Sequence, residues 1–259
     1  MAESTIVLIT GGNTGLGYES VKALYGSPKG PYTIFLGGRS IEKVHAAIAR
    51  LKNEIPDSAS SLLPLQVDIE SDESIAAAFE NVKSRVSHID VLINNAGAIF
   101  DNEIDETPAS IRAGMIKTYN VNVASTQVMT VVFEPLLLKS ANPRLLFVTS
   151  GLSSFTTAAA GLNRPNTMAY RTSKTALNML MWEWCVRLKD SPAKIWCISP
   201  GLLSTGLLGA LIGNDDVESM RQIGAEGPEA GGVFVKDVVE GIRDNEVGKV
   251  VDRAGVQPW

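Results

Sequence analysis

The chain has 259 residues, of which 45% are hydrophobic. That supplies one sizeable core and is compatible with one large domain or two small ones. A formal net charge of −5 leaves no general basic field to attract nucleic acid or an acidic membrane surface. The two cysteines, Cys185 and Cys197, lie in apolar stretches without metal-ligand spacing and read as reduced core residues of a cytoplasmic protein.

The first expected strand is "TIVLIT" (5–10), so close to Met1 that no charged leader and apolar signal core fit before it. A glycine loop follows, then a helix over 15–25. "YTIFLG" (32–37) predicts the second strand and 40–54 the next helix. "LLPLQV" (62–67) precedes a helix over 71–87, opened by Ser71 and Asp72. "IDVLIN" (89–94) leads to a long helix over 108–138, with Thr107 as N-cap and Pro108 at its first position. Inside it, Glu134 and Pro135 interrupt the most apolar stretch, "VMTVVFEPLLL", so no membrane span is expected. "RLLFVT" (144–149), a helix over 167–190 and "KIWCIS" (194–199) come next, and a helix over 229–244, preceded by Pro228, leads to "KVVD" (249–252).

These strands are nearly continuous in hydrophobicity, as strands buried on both faces are. Their alternation with helices predicts an α/β fold: a doubly wound, mostly parallel seven-stranded sheet with helices on both faces. No repeat, low-complexity tract or linker divides residues 1–259, so a single domain is expected. Residues 201–227 are the exception. Glycines break an amphipathic pattern there, which predicts a short helix flanked by mobile joints. The segment follows a strand's C-terminal end, where ligands bind in open α/β sheets, so it is expected to act as a substrate lid.

"TGGNTGLG" (10–17) joins the first strand to the first helix. Gly11, Gly15 and Gly17 allow a close backbone approach, and the turn aims N–H groups and the positive helix end at one point, a geometry that binds pyrophosphate. The second strand ends "FLGGRS" (35–40). A carboxylate there would bind a ribose diol and repel a 2′-phosphate. Gly38 is followed instead by Arg39, whose guanidinium grips phosphate, and by the Ser40 hydroxyl. NADPH is therefore expected over NADH.

"TGGNTGLG" is joined by "VDI" (67–69), "NNAG" (94–97), "YRTSK" (170–174) and "SPGLLST" (199–205). Together, in this order, they resemble the short-chain dehydrogenase/reductase family over essentially the full length, and the glycine loop resembles that of its NADPH-dependent carbonyl reductases. In those proteins a basic residue often stands where this chain has Thr14. The resemblance implies a single-domain Rossmann fold and an NADP(H)-dependent oxidoreductase that reversibly reduces a ketone or aldehyde to an alcohol. It implies cofactor contacts from Gly11, Asn13, Thr14, Gly15, Leu16 and Gly17, from Arg39 and Ser40, and from Asp68 toward the adenine. Asn95, Ala96 and Gly97 would line the ribose side and support the sheet. Pro200, Gly201, Leu203 and Thr205 would cup the nicotinamide, with Tyr170 and Lys174 beside it.

Tyr170 and Lys174 stand four apart in a helical segment, so both project from one face. Bringing a phenol of pKa about 10 near neutrality requires roughly 3 units, about 4 kcal/mol. An ammonium about 4 Å away at an effective dielectric near 20 supplies about 4 kcal/mol. Tyr170 is thus expected as the general acid/base. Ser150 matches the family's catalytic serine and would hydrogen-bond the substrate oxygen; Ser153 and Ser154 are its neighbours and competitors. Asn122, rather than Asn120, matches the family's asparagine, which holds a water that relays protons to the lysine.

No metal is called for, and His45 and His88 read as surface residues near helix ends. A G-x-S-x-G nucleophile motif is absent from the sequence, against a serine hydrolase. A silent NADP(H)-binding sensor is the alternative, disfavoured because all four catalytic positions are filled. In the family, the helices of Asn122 and Tyr170 often pair between subunits. "ALNMLMWEWCVRL" (176–188), with Trp182 and Trp184, suits such a contact, so a homodimer or homotetramer is expected. The Leu, Ala, Phe and Met content of 151–169 and 202–227 suggests a small apolar carbonyl or alcohol substrate.

Overall fold

A computed structural model describes residues 4–161 and 166–259; the part of the expected substrate-shaping loop at 162–165 lies outside the described residues. In chain order the elements are β1 (Thr5–Ile9), α1 (Gly15–Tyr25), β2 (Tyr32–Gly38), α2 (Ile41–Glu54), β3 (Ser61–Gln66), α3 (Asp72–Lys83), β4 (Val91–Asn94), α4 (Pro108–Tyr119), α5 (Ser125–Leu137), β5 (Arg144–Val148), α6 (Phe155–Ala159), α7 (Met168–Arg187), β6 (Lys194–Ile198), α8 (Gly206–Ile212), α9 (Val217–Gln222), α10 (Pro228–Val239) and β7 (Val250–Val251).

The strands form one seven-stranded sheet in the order β3-β2-β1-β4-β5-β6-β7, every neighbouring pair parallel. Burial on both faces explains their unbroken hydrophobicity. Val7 and Ile9 of β1 enter a core with Ile34, Leu36 and Ile93 beneath α1, α2 and α10. Leu8 points the other way, with Phe35, Leu92 and Phe147, against α3, α5 and α7. Pro64 is tolerated because β3 is an edge strand, with only β2 to satisfy. The chain winds outward from β1 to β3 and then crosses to β4 on the other side of β1. The resulting switch point opens a crevice at the strands' C-terminal ends.

Several helix starts follow the caps expected of them. Ser40, Ser71 and Thr107 each accept a hydrogen bond from the backbone N–H three residues on. Two expectations need correction. The segment 108–138 is not one helix: α4 and α5 are separated by a π turn over Asn120–Ala124, because Asn122 is drawn inward by polar partners described below. Residues 201–227 hold two short helices, α8 and α9, rather than one. Leu208, Met220 and Ala225 give this excursion a small core of its own. Its neck is closed by backbone bonds from Glu226 N to Leu202 O (2.9 Å) and from Ser204 N to Glu226 O (2.8 Å), with Arg253 paired to the Glu226 carboxylate.

The two tryptophans of α7 also separate. Trp184 is core and donates to Gln127 Oε1 at 2.7 Å, whereas Trp182 is 47% exposed. A contact between subunits therefore has Trp182 available but not Trp184.

Candidate active site

A cavity of about 710 Å³ lies along the C-terminal edge of the sheet. Every residue expected to touch cofactor lines it, from Gly11, Asn13, Thr14, Gly15, Leu16 and Gly17 through Arg39, Ser40, Asp68, Asn95, Ala96 and Gly97 to Pro200, Gly201, Leu203 and Thr205. Ser150, Tyr170 and Lys174 line it too; Asn122 does not.

At one end the glycine loop is anchored by side chains of neighbouring strand ends. Thr10 Oγ1 accepts from the N–H groups of Asn95 (3.1 Å) and Ala96 (3.0 Å). Asn95 Nδ2 in turn donates to the carbonyls of Thr10 (2.8 Å) and Gly11 (3.2 Å). A Cβ on Gly17 would lie 2.1 Å from the Gly11 carbonyl oxygen, so only glycine lets α1 begin this close to the loop. Gly38 is equally confined: a Cβ would stand 2.7 Å from Asn13 Oδ1 and 2.8 Å from Val44. A carboxylate side chain has no room at this position. Arg39 is exposed at the rim, and Ser40 Oγ accepts from Lys43 N at 3.2 Å, capping α2. Lys43 lines the cavity beside them, a second cation that sequence reasoning missed. Its signal was its place in the first turn of a helix capped by Ser40. Asp68 holds the next strand end, its Oδ1 accepting from Glu70 N at 3.1 Å.

In the middle of the cavity stand Tyr170 and Lys174, 6% and 4% exposed, one turn apart on α7. Lys174 Nζ donates to the Val148 carbonyl at 2.9 Å and lies 5.7 Å from the centre of the Tyr170 ring. Burial pushes the phenol up to about 12; a hydrogen bond with Ser150 opposes this, and the charge of Asp101 adds to it. Burial also brings the Lys174 ammonium down to about 8. This corrects the expectation of an acidic phenol. In this protein the cost of ionising a buried group outweighs the lysine, whose charge is itself weakened by burial and directed to a carbonyl.

Of the three candidate serines, Ser150 faces the cavity. Ser153 Oγ donates to Ser150 O (2.6 Å) and accepts from Asn178 Nδ2 (2.9 Å) behind the strand end. Ser154 caps α6. Asn122 is fully buried. Its Oδ1 accepts from Ala98 N (2.9 Å), and its Nδ2 donates to Ala98 O (2.9 Å) and Ser173 Oγ (3.0 Å). The side chain is thereby spent on joining the loop after β4 to α7, and does not open onto the cavity. Asn120 is exposed and donates to Glu70 Oε1 at 3.2 Å. Sequence reasoning also missed Asp101, whose buried carboxylate accepts from Ala169 N (2.7 Å) and Tyr170 N (3.0 Å). Its neighbour Asn102 donates to the carbonyls of Ala210 (2.6 Å) and Leu211 (2.7 Å) at the end of α8. Ile99, Phe100, Leu152, Leu202, Leu207 and Leu211 make the rest of this end of the cavity apolar. The histidines stay apart: His45 is exposed on α2, and His88 Nε2 lies 3.2 Å from Asp90.

A phosphate-sized glycine cradle at one end and a buried Tyr–Lys–Ser group at the other define a dinucleotide-binding oxidoreductase of the α/β class. The sequence matches the family model of the short chain dehydrogenases over residues 5–215. It is 39% identical to the short-chain dehydrogenase/reductase tropE of Talaromyces stipitatus, covering 100% of this chain and 99% of that one. It is 41% identical to the short-chain dehydrogenase/reductase eupG of a Phoma species, covering 98% and 97%. The backbone superposes on an NADPH-bound carbonyl reductase from chicken fatty liver with a TM-score of 0.81 at 23% identity, over the full length of both chains. The chain belongs to the short-chain dehydrogenase/reductase family.

Proposed function

We propose that this protein is an NADP(H)-dependent reductase of an apolar ketone or aldehyde, with Tyr170 as its general acid/base. The observation that carries the reading is Tyr170 itself, buried, hydrogen-bonded to Ser150 and one turn from Lys174, in a cavity whose far end is the glycine loop. The residues present fit the cofactor. Gly17 and Gly38 leave no space for a Cβ, α1 and α2 both begin at the cavity, and Arg39 and Lys43 supply positive charge beside Ser40. These features suit a pyrophosphate and a 2′-phosphate. That the structurally similar chicken enzyme carries NADPH supports the same choice.

When bound, the reduced nicotinamide supplies the hydride that turns a carbonyl carbon into an alcohol carbon. The chain does the proton chemistry. A phenol held near 12 is neutral at pH 7, the form that can donate from Oη to the carbonyl oxygen as charge develops. Ser150 hydrogen-bonds the same oxygen. Lys174, near 8, is mostly charged at neutral pH and restores the phenolic proton. Asn122 serves by bracing Ala98 and Ser173 around this group. The lid excursion, apolar where it meets the cavity, selects the substrate. Ile116, Val131, Met179, Trp182 and Val186 expose apolar surface on α4, α5 and α7, which supports a homodimer or homotetramer joined through those helices.

The test is loss of absorbance at 340 nm with NADPH and a panel of ketones and aldehydes of graded hydrophobicity. Turnover of apolar members is expected, and binding of NADPH without turnover of any carbonyl would reject the reading.

A further inference from the structure

Thr167 precedes the first turn of α7 but offers that helix no side-chain cap, although the helix carries Tyr170. The missing acceptor comes from elsewhere in the chain. Asp101, in the loop after β4, is 7% exposed and places one carboxylate oxygen on Ala169 N (2.7 Å) and the other on Tyr170 N (3.0 Å). Both orphan donors are therefore satisfied by one bidentate group, at the helix end where negative charge is favoured. The loop is fixed on either side. Asn122 holds both backbone groups of Ala98, and Asn102 bonds the last carbonyls of α8.

We infer that Asp101 is a positioning residue for the proton-transfer tyrosine, fixing the backbone of Tyr170 by capping α7 from a separate loop. This rests on the proposed role of Tyr170. Two consequences distinguish it from an ordinary cap. The constraint bears on the very residue whose Oη must meet the carbonyl oxygen, so its loss changes kcat rather than cofactor binding. The carboxylate also adds negative charge beside the phenol and disfavours its ionisation. The groups facing the phenol are Ser150 from the loop after β5, Lys174 from its own helix, and Asp101. Removing the Asp101 charge leaves the opposing Ser150 hydrogen bond in place.

The experiment compares the full-length wild type with Asp101→Asn and Asp101→Ala. Asparagine keeps the shape and one acceptor but turns an NH2 group toward the second amide. Expected for Asp101→Asn is a fall in kcat of roughly tenfold or more, with the Kd for NADPH held within about twofold. Amide exchange at 168–172, followed by mass spectrometry without cofactor, should accelerate in both variants while β1 and β4 stay protected. The Tyr170 ionisation midpoint, read as the absorbance difference between each chain and its Tyr170→Phe counterpart, should move down in Asp101→Asn. Unchanged exchange overturns the inference, and so does accelerated exchange with kcat intact, which would leave a merely structural cap. If the wild type reduces no carbonyl, the proposed activity has failed. The ionisation midpoint then decides about Asp101 in place of kcat, and an unmoved midpoint overturns the inference.

Discussion

The Lys174 ammonium sits 5.7 Å from the centre of the Tyr170 ring, and neither side chain is more than 6% exposed. Their charged forms are both disfavoured, the phenol near 12 and the ammonium near 8. The pair is thus held as neutral acid and reluctant cation, which suits proton donation toward a reduced product better than the activated phenolate that charge alone would make.

The lysine carries a stability cost. Its pKa in the folded chain is about 8 against 10.5 in the reference state. Below pH 8 both states are protonated and the penalty is constant. Between 8 and 10.5 the unfolded chain binds the extra proton, so this contribution to stability rises with pH. Lys174→Met should therefore stabilise the protein at pH 7 by about 1–3 kcal/mol, the upper figure being the shift and the lower allowing for the lost bond to Val148. Urea unfolding would measure it, beside a large loss of reductase activity. A destabilised variant would mean that the buried ammonium is well compensated.

Tyr170→Phe removes the proton and little else. A fall in kcat of about 10²–10⁴-fold is expected, with NADPH binding retained. Steady-state kinetics and quenching of protein fluorescence by NADPH separate the two, and near-normal turnover would remove the phenol from the mechanism.

The pH profile should follow the lysine. Carbonyl reduction at saturating NADPH is expected to hold steady toward neutrality and decline as pH rises through about 8, where Lys174 loses its proton. A rate that climbs through this interval would contradict the assigned direction of proton flow.

At the other end of the cavity, Arg39→Asp should weaken NADPH roughly tenfold to a hundredfold while leaving NADH nearly untouched, as loss of charge-assisted bonds to one phosphate requires. Lys43→Ala should do the same more weakly. Titration of both cofactors against each variant checks this; parallel losses for NADH would put these side chains elsewhere.

Asn102 ties the lid to the body through the Ala210 and Leu211 carbonyls. Asn102→Ala should raise KM for the carbonyl several-fold with cofactor affinity unchanged, because two hydrogen bonds of about 1 kcal/mol each are lost at the substrate end only. Limited proteolysis near Gly213 should quicken in step. Equal effects on cofactor affinity would argue against a lid.

Much of this was readable before any coordinates. Strands buried on both faces and capped helices announce themselves through composition and spacing, and the glycine loop, Arg39, Ser150, Tyr170 and Lys174 each occupy a strand end or helix face that pattern can locate. What escaped depends on contacts distant in sequence. Asp101 meets α7 only because β4 and β5 are neighbours. Lys43 reaches the cavity only because α2 starts at the same strand end as Arg39. The phenol's ionisation was misjudged because spacing reveals a neighbouring charge, whereas desolvation is a property of the packed interior. The break after Tyr119 was invisible for a similar reason: each residue of "YNVNVAS" tolerates a helix, and only the pull of Ala98 and Ser173 on Asn122 widens it.

That wider turn sets the phase of everything after it. One residue fewer between 120 and 124 would restore ordinary winding and swing α5 through about 100° about its axis. Met129 and Phe133, now sealed beneath the sheet, would then face outward while polar neighbours turned in. A single-codon deletion in this segment is therefore a fold-level lesion, far costlier than substitution of any residue the segment contains.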